Sequence, residues 1–416
     1  MYKLIDEHKT KIEQWLHEKE CCEVLPLYSS VDIRNAGFKN AVVDTNLFPA
    51  GFNNLCLLAL KETSSFINKV ILDRVSDCKR ILLVMEEHTR NKFYLENIFV
   101  IKKMLVDAGF EVDIVSFCET EVFDEPVKEL ETSAGNNITV TCFKCILKKI
   151  EKQEYSADLV ILNNDLSKGI PEMVTNMDIP IYPSLHAGWH ARLKSHHFKE
   201  ANALLTEFAE MIDEDPWKFL AYYESEDNVD VNEEADRKRL AVVVEDLLKK
   251  IQIKYDEYGI KDKPFVFLKS DSGTYGMGVV PVESVDEVLT LNRKLRNKLS
   301  TGKSSMKIDR FIIQEGVPTI SSVDNKVSEV CVYQIANRFV GGFYRVNTKK
   351  GDRDNLNSSG MTFTKICEAS DSCALKGDDS DDNCGVAPDE NLDLSRLLAR
   401  IAGVAAHREI KALETK

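Results

Sequence analysis

Short apolar runs that stop abruptly at polar clusters restrict the fold of this chain more than any other feature. Ile81 to Met85 runs into Glu86-Glu87-His88-Thr89-Arg90-Asn91, and Leu159 to Leu162 runs into Asn163-Asn164-Asp165. Val112 to Phe117 is a third such run, and Lys92 to Ala108 carries the apolar spacing of an amphipathic helix. Segments this short, apolar on consecutive residues and rich in Val, Ile and Leu, bury both faces, which is the condition of parallel strands covered by helices. The predicted fold class is α/β, with an N-terminal parallel-sheet domain. Ligands of such sheets gather beyond the carboxyl ends of the strands, where these polar clusters fall.

At 416 residues the chain outgrows a single core, which stops at roughly 250 to 300 residues. A transition is predicted near residue 185, after Pro180-Ile181-Tyr182-Pro183, dividing the chain into 1–185, 186–366 and 367–416. Residues 180–230 read as helical and charged, with Glu224 to Asp236 an acidic, solvated stretch. From Ala241 a helix leads to a strand at Phe265 to Leu268, and further strands are predicted at Arg310 to Gln314, Val330 to Ile335 and Phe339 to Val346. The last unit is an acidic loop, Glu368 to Asp382, and a closing helix from Leu392 to about Ala406.

A net charge of -14 argues against a nucleic-acid partner, because phosphate neutralisation needs clustered Lys and Arg. No apolar stretch approaches the roughly 18 residues of a membrane span, and the acidic N-terminus lacks a signal-peptide run, so a cytoplasmic, membrane-free protein is expected. The 11 cysteines, odd in number and scattered, read as reduced thiols, the Cys142-to-Cys145 pair among them. The histidines from His186 to His197 read as junction packing, with Arg192 and Lys194 near a bound phosphate. Whether the chain forms a homo-oligomer is left open.

Lys269-Ser270-Asp271-Ser272-Gly273-Thr274-Tyr275-Gly276-Met277-Gly278 follows the predicted strand at residue 265. Phosphates are held by close backbone N–H groups, which glycine permits, and by a lysine charge. Lys269, Ser272, Gly273, Thr274, Tyr275, Gly276 and Gly278 are thus candidate phosphate contacts. The loop is neither a Walker loop nor a Rossmann fingerprint. Downstream, Phe311 to Val317 ends in Gln314-Glu315, where a hinge could offer main-chain groups to an adenine edge, up to Val317, and an acid to ribose hydroxyls. Then come Arg345, a candidate clamp for a transferring phosphoryl group, and Arg353 to Gly360, with Asn355 and Asn357 as magnesium candidates beside Glu329.

In this order the three elements resemble the ATP-grasp superfamily, whose nucleotide cleft is lined by such segments. The resemblance implies ATP and Mg2+, an ATP-grasp-like α+β region over 186–366, and a second phosphate-binding lysine upstream, at Lys194 or Lys199. The chain departs from the pattern in having no Glu-x-Asn after Gly360.

In the first half, Ser30 to Lys39 and Val42 to Asn54 read as a polar loop marked by Gly and Pro. An amino-acid site needs a cation for the carboxylate, an acid for the ammonium and amides for orientation. Arg34 and Lys39 supply the first, Asp32 and Asp44 the second, Asn46, Asn53 and Asn54 the third, and Arg90 lies at a strand end. A structural loop stapled by Asn side chains is an equal reading. The alternatives at this point are a ligase for other amino acids or peptides, and a regulatory nucleotide-binding module.

The runs Asp32 to Lys39, Asp44 to Asn54, Glu86 to Asn91, Lys269 to Gly278 and Asn355 to Gly360 together resemble a proteobacterial glutamate–cysteine ligase family, the type found in acidophilic iron-oxidising bacteria. That resemblance implies an ATP-dependent ligase with glutamate and cysteine as substrates, 1–185 as a substrate-binding domain, and γ-glutamylcysteine for glutathione synthesis. In such a reaction catalysis falls to Lys269 and Arg345, which neutralise phosphate charge, and Glu86, Glu87 and Glu315 are each candidates to accept the attacking amine's proton.

Overall fold

The computed structural model describes residues 2–21, 23–88, 90–117, 126–175, 177–273, 278–301, 307–367, 386 and 391–415. The segment expected to be a polar loop is instead a hairpin of β1 (Tyr28–Asn35) and β2 (Asn40–Asn46). Val31 and Ile33 alternate with Ser30, Asp32 and Arg34 at period two and pack with Val42 of β2, so one face of β1 is apolar and the other polar.

The apolar runs form β3 (Arg80–Met85), β4 (Glu111–Ser116) and β7 (Leu159–Asn163). With β5 (Val127–Glu131), β6 (Asn137–Cys142) and β8 (Ile181–Tyr182) they make a sheet of order β5-β6-β4-β3-β7-β8, parallel except at the β5 edge. Both faces are buried, as the runs predict. Ile81, Leu83 and Met85 pack with helices Leu57–Arg74 and Lys92–Asp107, and Leu82 and Val84 pack with Phe143 and Ile146 of helix Phe143–Glu151.

A second sheet holds β9 (Tyr223–Asp227), β10 (Val266–Ser270), β11 (Val280–Val282) and β12 (Arg310–Glu315), all antiparallel, in the order β11-β10-β12-β9. The acidic stretch from Glu224 is therefore partly an edge strand. Its glutamates stay hydrated there, so the charge that argued for a solvated segment is compatible with pairing. Helix Glu234–Glu257 starts earlier than predicted and covers this sheet through Leu240, Val244, Leu247 and Ile251.

The third sheet joins the two ends of the sequence. β13 (Ser322–Val323), β14 (Lys326–Ile335), β15 (Arg338–Asn347) and β16 (Met361–Lys365) combine with the first hairpin in the order β16-β15-β14-β1-β2, with β13 on β14. A boundary at 185 thus does not separate independent units, since β1 pairs with β14 from Tyr28↔Ile335 to Ile33↔Val330. Local periodicity marks a strand but cannot name a partner some three hundred residues away. The last helix, Leu392–Glu414, is likewise integral: Leu398, Ile401 and Val404 pack on the third sheet, and Ala406 and Ile410 on the parallel sheet. No helix among the described residues is long and apolar enough to cross a membrane.

This helix is locked by a buried ion pair. Arg192 Nε lies 3.0 Å from both carboxylate oxygens of Glu409, and its Nη1 donates to the Thr45 carbonyl at 3.0 Å. His197 Nδ1 is 3.3 Å from the same carboxylate. His197, within the histidine run, therefore serves packing, and burial pushes its imidazole below the ordinary pKa, towards neutrality. Glu409→Ala leaves a guanidinium that is 1% exposed without a counter-charge, and unfolding free energy should drop by about 3–5 kcal/mol in urea titration. A loss below about 1 kcal/mol would show that the pair does not hold the helix.

Candidate active site

Alternation along β1 turns Val31 and Ile33 towards the helices and leaves Asp32 and Arg34 on the opposite face. Register brings them to acidic and basic partners: Asp32 lies opposite Asp44 and Cys331, and Glu329 opposite Arg345. Arg345 Nη1 donates to Asp32 Oδ2 at 2.7 Å and to Glu329 Oε1 at 2.6 Å. Arg34 Nε donates to Glu329 Oε2 at 2.7 Å, and its other nitrogens donate to the carbonyls of Val317, Asp352 and Asp354. Arg34, predicted as a carboxylate clamp, is thus a strap across the hinge and the 352–354 loop. Burial alone would raise the Glu329 carboxyl, but Arg34 and Arg345 outweigh it and hold it below the usual range. For Asp32 burial prevails over Arg345, and its pKa is raised.

Lys269 reaches this face from β10. Its Nζ donates to Gln314 Oε1 at 2.6 Å and to the Val43 carbonyl at 3.2 Å. Val43 is the extra residue of a bulge, since pairing steps from Asp32↔Asp44 to Ile33↔Val42. Burial lowers the Lys269 pKa to about 8, against the pull of Asp44. Gln314 is 1% exposed, and its Nε2 has no hydrogen-bond partner, so a buried donor stands ready beside the lysine.

Lys194 arrives from a different element and forms an ion pair with Asp44. Burial would raise the Asp44 carboxyl, but Lys194 and Lys269 hold it at about 2. Asp271, inside the glycine loop, caps the helix Lys194–Met211: Ser195 N donates to its Oδ1 at 2.7 Å and Ser195 Oγ to its Oδ2 at 2.6 Å. The loop is thereby tied to the helix that delivers Lys194, whereas Lys199 is exposed. At Gly273 a Cβ would fall inside the indole of Trp189, so only glycine lets the loop lie on that ring. The Lys194 ammonium is 5.0 Å from the same ring. Ser272 contacts Ser270 through its hydroxyl, and Gly278 adopts φ +66°. Thr274, Tyr275 and Gly276 lie outside the described residues.

Other predicted contacts fall elsewhere. Lys39 is fully buried, donates to Glu315 Oε1 at 2.8 Å and lies 4.2 Å from the Trp217 ring centroid. Glu315 also accepts from Trp217 Nε1 and the Tyr222 amide, so neither partner of this pair turns to a ligand. Each is the other's counter-charge, a pairing that composition cannot reveal. Asn46 staples its own turn by accepting from Phe48 N at 2.9 Å, Asn53 and Asn54 touch each other, and Arg90 is exposed. At the ends of β3 and β7, Glu86 accepts from the Asp165 amide at 3.0 Å.

Magnesium needs several oxygen donors free to converge. Both Glu329 oxygens accept from guanidinium groups, and Asn355 Oδ1 accepts from the Asn357 amide at 3.0 Å. Among the described residues no three His, Cys, Asp or Glu side chains form a metal-holding group. The predicted trio of Glu329, Asn355 and Asn357 therefore does not fit a magnesium site, because its acid already neutralises two arginines. Roles that the sequence left unassigned, Asp271 as cap and Trp189 as seat of the loop, act across 76 or more residues and leave no local signal. Glu329→Gln removes the charge between Arg34 and Arg345, and should lower unfolding free energy by about 3 kcal/mol in denaturant titration. A change within about 0.5 kcal/mol would contradict the bridging role.

Comparison with known proteins places these features. The described family model "GshA: Glutamate-cysteine ligase" matches residues 2–410. A crystal structure from Methylobacillus flagellatus KT, provisionally described as a gamma-glutamylcysteine synthetase, is 36% identical with a TM-score of 0.85, covering 100% of this chain and 96% of that one. No curated protein matches the chain. With nearly its whole length matched by the family model and its fold shared with that structure, the chain belongs to the GshA glutamate–cysteine ligase family.

Proposed function

We propose that this ligase forms γ-glutamylcysteine by an acyl-phosphate route in an ATP-grasp-like cleft between the second and third sheets. The observation that carries the reading is the convergence of Lys269 and Lys194, from separate elements, on Asp44. Two ammonium groups and the unpaired Gln314 Nε2 donor suit a polyphosphate.

A carboxylate is too poor an electrophile to react with an amine unaided. ATP supplies the phosphoryl group that makes the glutamate side-chain carboxylate reactive. The chain's own residues position and neutralise: Lys269, Lys194 and the loop amides meet the phosphates, and Arg345 meets charge that develops at the transferring group. An acyl phosphate must be kept from water until the amine attacks it. Glu315, enclosed with Lys39 and Trp217, is not placed to take a proton from the attacking amine, whereas Asp32 lies on the charged face, where Arg345 donates to it.

Lys269→Met should lower kcat/KM for ATP by about a hundredfold or more, measured as ADP release with glutamate and cysteine present. Normal ADP release would remove Lys269 from the phosphate site. Equal ADP release with other amines replacing cysteine would contradict the acceptor.

The lysine's titration gives a separate test. Without ligand Lys269 loses its charge as pH rises through about 8, whereas a bound polyphosphate favours the protonated form and raises that value. ATP binding should therefore take up a proton above about pH 8 and none well below it, as calorimetry in buffers of different ionisation heat would record. Uptake that persists in Lys269→Met would assign the proton to another group.

A further inference from the structure

Two thiols distant in sequence meet at the edge of the sheet that carries Arg345. Cys56 Sγ and Cys367 Sγ lie 3.5 Å apart, 311 residues apart in the chain, and both are reduced. Cys56 is partly exposed, follows Asn53-Asn54-Leu55 and directly precedes helix Leu57–Arg74. Cys367 is 1% exposed and stands just after β16, whose Phe363 pairs with Arg345. A disulfide needs its sulfurs at about 2.05 Å, so thiols already in contact close by side-chain rotation with little movement of the backbone. Cys142 and Cys145 differ, since a bond there would join only one turn of helix Phe143–Glu151 to the residue before it.

We propose that Cys56 and Cys367 form a thiol–disulfide exchange site for low-molecular-weight disulfides, whose product cross-links the start of helix Leu57–Arg74, just after the 3-10 turn Phe52–Asn54, to the edge of the sheet that carries Arg345. Cys56, the accessible thiol, loses its proton to solvent and attacks one sulfur of the small disulfide. The small S–S bond breaks and one small thiolate leaves, giving a mixed disulfide on Cys56. Cys367, deprotonated in turn, attacks Cys56 Sγ and expels the second small thiol. Two protein thiols are oxidised, one small disulfide is reduced to two thiols, and excess small thiol reverses both steps. Control of turnover by this bond rests on the ligase reading, in which one substrate, cysteine, is itself a thiol whose disulfide is cystine.

The full-length protein is incubated with cystine, and unreduced peptides are mapped by mass spectrometry. A peptide pair joined through Cys56 and Cys367 is expected, absent in Cys56→Ser and Cys367→Ser and lost on adding dithiothreitol. The cross-link should raise the melting temperature, because it closes a long loop in the unfolded chain. Turnover of the oxidised enzyme should fall at least about threefold and recover with dithiothreitol, while Cys56→Ser is indifferent to cystine. A map without the linked pair, or with only a persistent mixed disulfide on Cys56, overturns the exchange site. A linked pair with unchanged turnover overturns the control of turnover by the bond. Absence of ligase activity in the reduced enzyme would count against the ligase reading, and the peptide map would still decide whether the bond forms.

Discussion

Glu329 stands between the guanidinium groups of Arg34 and Arg345, and the pairing of β1 with β14 is what puts it there. Replacing such a network by apolar side chains need not cost stability, but removing one member strands a buried charge. Its contribution is therefore mainly to register. A slip of β1 by one residue would turn Asp32 and Arg34 into the apolar layer formed with helices Lys9–Glu20, Lys194–Met211 and Leu392–Glu414, and bring Val31 and Ile33 to the polar face. The electrostatic network and the hydrophobic layer thus select the same alignment.

From that alignment the site's electrostatics follow. Lys269 and Lys194 add two cations to the two arginines, against the carboxylates of Asp32, Asp44 and Glu329. The face carries a modest excess of positive charge within a protein of net charge -14, which keeps anion binding local. Burial holds Lys269 near its titration point, so its charge responds to whatever anion approaches. Asp271, just past the strand that carries this lysine, links it to the helix that carries the other, and Trp189 lies against both Gly273 and Lys194.

The parallel strands were legible because their information is local: Leu82, Leu83 and Val84 are apolar on both faces whatever they pair with. Lys269 drew notice because it ends a strand before a run of glycines, and Arg345 because it is a cation in an apolar strand, and the structure brings both to the polar face of the first hairpin. Lys39 and Glu315 misled for a definite reason. Each has the chemistry a ligand would need, but they satisfy each other in a pocket closed by Trp217, and chemistry alone does not tell a ligand's partner from a neighbour's. Asn46, Asn53, Asn54 and Asn355 are turn-formers as readily as ligands, and Asn46 and Asn355 are engaged in their own turns.

By itself, then, the sequence determined the α/β class, most strand positions and, through long shared motifs, the family, and it singled out Lys269 as a candidate. These depend on period, on glycine's backbone freedom and on residue type, all written within a few neighbours. Tertiary structure alone decided that the first hairpin completes a sheet with residues 326–365, that Lys194 rather than Lys199 joins Lys269, and that Glu329 neutralises arginines instead of standing free for a cation. Those outcomes rest on which buried charges and strand edges find each other across hundreds of residues, and one chain composition admits many such pairings until the core selects one.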